Sequence, residues 1–237
     1  MKLLAVSPHL DDAAFSAGGT LAQRAAEGWQ VVVATCFTGN VARPQGFALA
    51  CQLDKGLPPD TDYMALRRRE DDDACDALGA GAIHLPFLEA PHRGYASAAE
   101  LFAARRADDD MVDRLAPALA ALLADQQPDL VLGPLCLGDH VDHHIVRDAL
   151  AAVIGSRPLL LWEDWPYADR APITATPASV VPLGARGREG RLAACLSYRS
   201  QLGFQFGGAD ALRERLRTIT VERFHHSDTR SSTQPPQ

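Results

Sequence analysis

The sequence predicts an α/β protein with a Rossmann-like, three-layer fold and a mostly parallel central sheet. Three observations predict it. Short apolar runs alternate with longer helix-like stretches over most of the 237 residues, the pattern of a parallel sheet covered on both faces. That length suits one sizeable α/β domain, placed at 1–226. Two clusters of histidine and aspartate follow directly on apolar runs, and open α/β sheets bind ligands at the carboxyl ends of their strands.

The elements follow in order. Residues 3–6 form a buried-strand candidate, followed by a helix over about 19–27. The second strand, 30–37 (QVVVATCF), is dense in β-branched residues and ends at Thr38-Gly39-Asn40. Residues 41–62 carry Gly, Pro and Asp without periodicity and read as an excursion or lid. A helix over 66–78 is closed by Gly79 as a C-terminal cap. The third strand is 82–85, one or two helices occupy 97–125, and the fourth strand is 129–132. A helix over 141–154 and a fifth strand over 158–162 complete the regular alternation. Residues 179–182 read as an edge strand and 188–202 as a helix. The tail 227–237, made of Ser, Thr, Pro and Gln with few other residues, is expected to be disordered.

Composition narrows the function classes. Hydrophobic residues make up 47% and charged residues 22%, ordinary for a globular protein. A net charge of −7 argues against a general nucleic-acid binder, which gathers Lys and Arg on one face. The basic run Arg67–Arg69 is followed at once by Glu70–Asp73 and reads as a helix face with its own counter-charges. Five cysteines (Cys36, Cys51, Cys75, Cys136, Cys195) are dispersed, with no C-x-x-C pair. That fits reduced thiols in a cytoplasmic protein. The apolar opening before Ser7-Pro8 is too short for a signal peptide or a membrane span. Oligomeric state has no signature here.

The two polar clusters carry the chemistry. A catalytic zinc site takes about three ligands from His, Asp, Glu or Cys and leaves one position open. His9 and Asp12, three apart at the exit of the first strand, are placed to chelate one ion. His143, at the exit of the fourth strand, would complete the set, with the adjacent His144 left open as an alternative. Asp11 is then free to act as general base. His140, as an imidazolium, would stabilise the oxyanion, and Asp142 would orient His140 or another imidazole. Taken singly, Asp11, Asp12, Asp139 and Asp142 read as turn or helix-cap residues. The pairing of His-x-x-Asp with His-x-x-His at two strand exits favours a metal site. Gly18-Gly19-Thr20 lacks the spacing of a phosphate-binding loop and reads as close packing of a helix start against the sheet.

These residues resemble a known family. Pro8-His9-Leu10-Asp11-Asp12, followed by Gly18-Gly19-Thr20-Leu21-Ala22, is similar to the first signature of the PIG-L/LmbE-like zinc N-deacetylases. His140-Val141-Asp142-His143 is similar to the second, H-P-D-H, with valine in place of proline. Looser agreement is found at Arg67-x-x-Glu70 running on to Leu78-Gly79, and at Glu163-Asp164-Trp165-Pro166-Tyr167-Ala168. The resemblance implies hydrolysis of an N-acetyl group on a glucosamine-type sugar. It also implies Zn2+, or another divalent transition metal, on His9, Asp12 and His143, with Asp11 as base and His140 stabilising the intermediate. His144 is then a bystander. Where many members carry P-D-D-E, this chain has Ala13 after Asp12, which removes neither a ligand nor the base.

Arg67, His92, Arg93, Tyr95, Trp165 and Tyr167 lie in or beside strand-exit segments and are candidates for contacts to a small amino-sugar substrate. Two other accounts compete. One is an amidase acting on a thiol–sugar conjugate or another non-acetyl amide. The other is a non-catalytic Rossmann-like binding module, which has no evident use for Asp11, Asp12, His140 and His143 together.

Overall fold

A computed structural model describes residues 1–227 apart from 172 and 174. The expected tail therefore lies, from residue 228 onward, outside the described residues. One seven-stranded sheet runs through the molecule. Its strands are β1 (Lys2–Ser7), β2 (Gln30–Thr35), β3 (Gly81–His84), β4 (Leu130–Pro134), β5 (Leu159–Trp162), β6 (Ser179–Pro182) and β7 (Val221–His225). They lie in the order β3-β2-β1-β4-β5-β7-β6, with the first five parallel and β7 antiparallel to both its neighbours. The order reverses between β1 and β4, and a crevice opens at such a switch point.

The alternation of side chains along each strand divides the core in two. Leu3, Ala5, Val31, Val33 and Leu132 face one layer. It includes α1 (Asp12–Ala26), α3 (Tyr63–Leu78), α7 (Ala185–Ser197), α8 (Arg199–Phe206) and α9 (Ala209–Arg217). Leu4, Val6, Val32, Ala34 and Val131 face the other, which includes α5 (Met111–Gln126) and α6 (Val141–Val153). The short α2 (Gly46–Leu53) and α4 (Ala98–Leu101) lie in the connections. Gly79 closes α3 in the left-handed region, at φ 73°, as its sequence position predicts.

The structure corrects several boundaries. Helix α1 begins at Asp12, not near Gly19, so the glycine pair sits mid-helix. The pair serves close approach. The Gly19 and Thr20 N–H groups donate to the two carboxylate oxygens of buried Glu222 at 2.8 and 2.7 Å, and Arg191 donates to the Phe15 carbonyl. The excursion 41–62 contains α2, and the stretch read as one helix over 188–202 breaks at Tyr198. Helix α9 and strand β7 lie beyond the elements the sequence reading placed.

A Cβ on Gly19 would lie 2.6 and 2.7 Å from two Leu183 methyl carbons and 2.9 Å from Glu222 Oε1. Ala gains up to about 1 kcal/mol in helix propensity over Gly, but overpacking costs about 1–3 kcal/mol. The clash wins here because Glu222 cannot retreat without abandoning two buried donors. Gly19→Ala is therefore expected to lower the unfolding free energy by about 1–2 kcal/mol, read as a lower denaturant midpoint with an unchanged slope.

Candidate metal centre

The loops leaving β1 and β4 meet at the switch point, and both are conformationally constrained. Asp11 holds φ at 150°, and Cys136 and Asp139 also have positive φ. Such backbone costs about 1–3 kcal/mol per residue and persists only where neighbours hold it. Around Asp11 they do. Its N–H donates to the His9 carbonyl, its own carbonyl accepts from Phe15 N, and Arg67 donates to the Leu10 carbonyl.

His9, Asp12 and His143 converge on one atom. Asp12 Oδ2 lies 3.2 Å from His9 Nδ1 and 3.3 Å from His143 Nε2. Four ligands about 2.0 Å from a tetrahedral ion stand about 3.3 Å apart, so the spacing fits a shared cation. The far ring nitrogens are engaged. His9 Nε2 is 3.0 Å from Asp142 Oδ2, and His143 Nδ1 is 2.9 Å from Asp164 Oδ1. Each carboxylate fixes the proton on the far nitrogen and turns the other nitrogen's lone pair toward Asp12. His143 Nε2 is buried and has no hydrogen-bond partner. Two lone pairs aimed at one carboxylate oxygen need a positive charge between them. The donor set thus fits a divalent metal.

His140 competes for the third place, since one nitrogen each of His9, His140 and His143 lie within 4.8 Å of one another. Proton accounting argues against it. His140 caps α6, its Nδ1 accepting from the Asp142 N–H at 3.2 Å. With Nδ1 an acceptor, the imidazole must carry its proton on Nε2, which leaves no lone pair there for a metal. The same bond corrects the expected imidazolium. Burial, with His9 beside it, pushes the His140 pKa down to about 3, so His140 is a neutral Nε2–H donor.

Asp11 is buried and points elsewhere. Its Oδ2 accepts from Gln205 Nε2 at 3.2 Å and pairs with Arg67 Nη2 at 3.1 Å. Burial pushes its pKa up to about 7, with Arg67 opposing and Asp12 adding to the rise. Burial would raise Asp12 as well, but His143 and His9 hold it well below the usual carboxylate range. One aspartate is built to stay ionised and its neighbour to take up a proton.

Asp142 also accepts from Ala90 N at 3.0 Å and pairs with Arg93 at 2.7 Å, and so orients His9 in preference to His140. Three expected substrate contacts are otherwise employed. Arg93 is locked between Asp142 and Asp109. Tyr95 is 1% exposed, with its hydroxyl on Asp109. Trp165 stacks on Phe206 inside the core. Arg67 has 5% of its side chain exposed and spends its donors on Asp11, Glu89 and Leu10. His144 turns to Asp139, away from the cluster. Asp164 and Gln205 join the site without a role assigned to them from the sequence. The first stands just past the end of β5, where an acidic residue at a third strand exit was a usable signal. The second lies in α8, and nothing in the sequence marks it.

Comparison with known proteins identifies related chains. Residues 4–154 match the family described as PIG-L, GlcNAc-PI de-N-acetylase. The chain is similar to a 2'-N-acetylparomamine deacetylase of Streptomyces fradiae, 34% identical over 171 residues, or 70% of this chain and 58% of the relative. The curated relatives it matches are thus spanned over little more than half their length. Among solved structures it resembles a zinc-inhibited teicoplanin deacetylase, 29% identical with a TM-score of 0.78, covering 94% of this chain and 96% of the other. It also resembles the deacetylase of the A40926 pseudoaglycone, 31% identical with a TM-score of 0.77, covering 94% of each chain.

Proposed function

Since the chain belongs to the GlcNAc-PI de-N-acetylase (PIG-L) family, we propose that it is a zinc-dependent hydrolase removing an acetyl group from the nitrogen of an amino sugar or amino-sugar conjugate. The observation that carries this reading is the convergence of His9, His143 and Asp12 beside an unligated, proton-accepting Asp11. A binding module has no need of a carboxylate tuned to about 7 beside a ligand cluster. The acetyl and amino-sugar assignments are supported by the names of the curated relatives, among them a 2'-N-acetylparomamine deacetylase and deacetylases of an inositol-linked 2-acetamido-2-deoxyglucopyranoside.

When bound, the metal supplies Lewis acidity, polarising the amide carbonyl and making water more acidic. The chain's own groups do the rest. Asp11 accepts a proton from the water that attacks the carbonyl carbon and returns it to the sugar nitrogen as the C–N bond breaks. Water and amide thus become acetic acid and amine, which part as acetate and ammonium once the acid's proton passes to the amine. Neutral His140 donates Nε2–H toward the carbonyl oxygen as it gains charge. Arg67 holds Asp11 in place, and Glu89 holds Arg67. A small cavity of about 30 Å³ lies beside Glu89, between α2 and α3, lined by Asn40, Cys51, Lys55 and Tyr63 among others. That position supports a substrate-selecting role for segment 41–62. Among the described residues no helix is long and apolar enough to cross a membrane.

The test is metal content together with acetate release from N-acetylglucosamine conjugates. About one zinc per chain and chelator-sensitive acetate release are expected. A metal-free, inert protein would defeat the reading.

Protonation gives a second check. Burial alone would lower the pKa of both ligand histidines. In the metal-stripped protein Asp12 and Asp164 raise His143 to about 9, and Asp12 and Asp142 hold His9 well above its ordinary value. A raised histidine contributes stability that is complete below its unfolded pKa, near 6.5, and is lost as pH rises through the folded value. The Tm of stripped protein should therefore fall between pH 6.5 and about 9. Metal affinity should rise over the same range, because the ion displaces those protons. Paired melting curves and metal titrations check both slopes.

A further inference from the structure

The chain has four tyrosines, and three of their hydroxyls are taken. Tyr63 accepts from Gln201 at 3.2 Å, Tyr95 donates to Asp109 at 2.9 Å, and Tyr198 donates to Asp71 at 2.6 Å. The Tyr167 hydroxyl has no hydrogen-bond partner among the described residues. Half-buried phenols ordinarily find one.

Its ring is firmly placed. One side packs on Leu135, Leu137 and Leu161. The ring stands edge-on to His143, with centroids 5.7 Å apart and planes at 88°. Gly138 seats it, because a Cβ there would fall 2.7 Å from Tyr167 Cδ1 and 2.9 Å from its Cγ. Phe102, 43% exposed, leans on both Tyr167 and His140, at 6.0 and 5.3 Å between centroids.

We propose that Tyr167 is a further catalytic residue, its hydroxyl donating a hydrogen bond to the amide carbonyl oxygen as that oxygen takes up negative charge. The inference rests on the deacetylase reading above. His140 and Tyr167 border the His143 ring, with centroids 5.4 and 5.7 Å from it. Donors placed where charge develops act without reorganisation, and His140 supplies only one. A phenol, with an ordinary pKa near 10, donates at neutral pH and cannot take the proton that Asp11 handles. Burial, then Asp12, Asp11 and Asp164, raise the phenol further, so it stays protonated beside the metal ligands.

Tyr167→Phe keeps the ring and its packing and removes one oxygen. In the metal-loaded full chain, kcat for an acetamido sugar should fall by on the order of 10², with KM within about threefold. Metal content and Tm should match the wild type. The independent readout is calorimetric binding of a methylphosphonamide analogue of glucosamine, tetrahedral at phosphorus where the substrate is planar at carbon. Its affinity should drop by a factor comparable to the loss in kcat, while binding of the acetamide is barely altered. A variant with wild-type kcat, or one whose loss follows reduced metal content, overturns the assignment. An active wild type beside an unaffected variant defeats Tyr167 alone. A wild type that releases no acetate defeats the deacetylase reading and this proposal with it.

Discussion

Replacing His143 with alanine is expected to empty the metal site, from about one ion per chain to less than a tenth, and to lower kcat/KM by at least about 10³. The size follows from the geometry. Asp12 Oδ2 is held 3.3 Å from the His143 nitrogen and 3.2 Å from that of His9. Without His143, two ligands remain from one short loop, and two-ligand zinc is not a stable site. The variant also strands Asp164, whose oxygens are satisfied by His143 Nδ1 and Leu137 N. Stability must therefore be measured in parallel. Asp164→Asn separates the two effects, because it keeps the ring but weakens the group that orients it. A loss of about 10–100-fold in metal affinity is expected there. His144→Ala, on a side chain turned to Asp139, should bind metal as the wild type does. If His143→Ala keeps its metal, the third ligand is elsewhere, and His140 would have to give up the cap of α6 to be that ligand.

Much of this site is legible in the sequence because catalytic groups at a switch point come from adjacent strand exits. His9, Asp11 and Asp12 leave β1, while His140, Asp142 and His143 leave β4, and those two strands are neighbours. Partnership is less legible than residue type. Arg93, Tyr95 and Trp165 have side chains suited to a sugar, yet each spends its polar or aromatic surface on neighbours that only the folded chain supplies. The sequence also does not fix the protonation of His140, which depends on one backbone N–H arriving at Nδ1. Gly18-Gly19 misled for a related reason. Glycine marks both a chain break and a close approach, and only the arrival of Glu222 from β7, some 200 residues later, decides between them.

Asp11→Asn should lower kcat by on the order of 10²–10⁴ while leaving metal content at about one per chain. The two readouts diverge because Asp11 is adjacent to a ligand in sequence but its carboxylate is held by other partners. Its carboxylate faces Arg67 and Gln205, not His9 or His143. The loss is also separable from unfolding. A carboxyl whose folded pKa is raised to about 7 binds its proton more tightly folded than unfolded. It withdraws stability as pH rises from its unfolded value, near 4, through 7. The neutral amide never incurs that cost, so the variant should melt no lower than the wild type at pH 8. The same ionisation sets the acid side of the rate profile. A bound cation favours the carboxylate and moves its pKa down, so activity should fall on acidification at or below pH 7, and the residual activity of Asp11→Asn should lack that limb. If the limb persists in the asparagine variant, the proton acceptor is another group. Asp12 is excluded from that role by the histidines that hold it ionised, so the search would turn to Glu89, which faces the opposite end of Arg67.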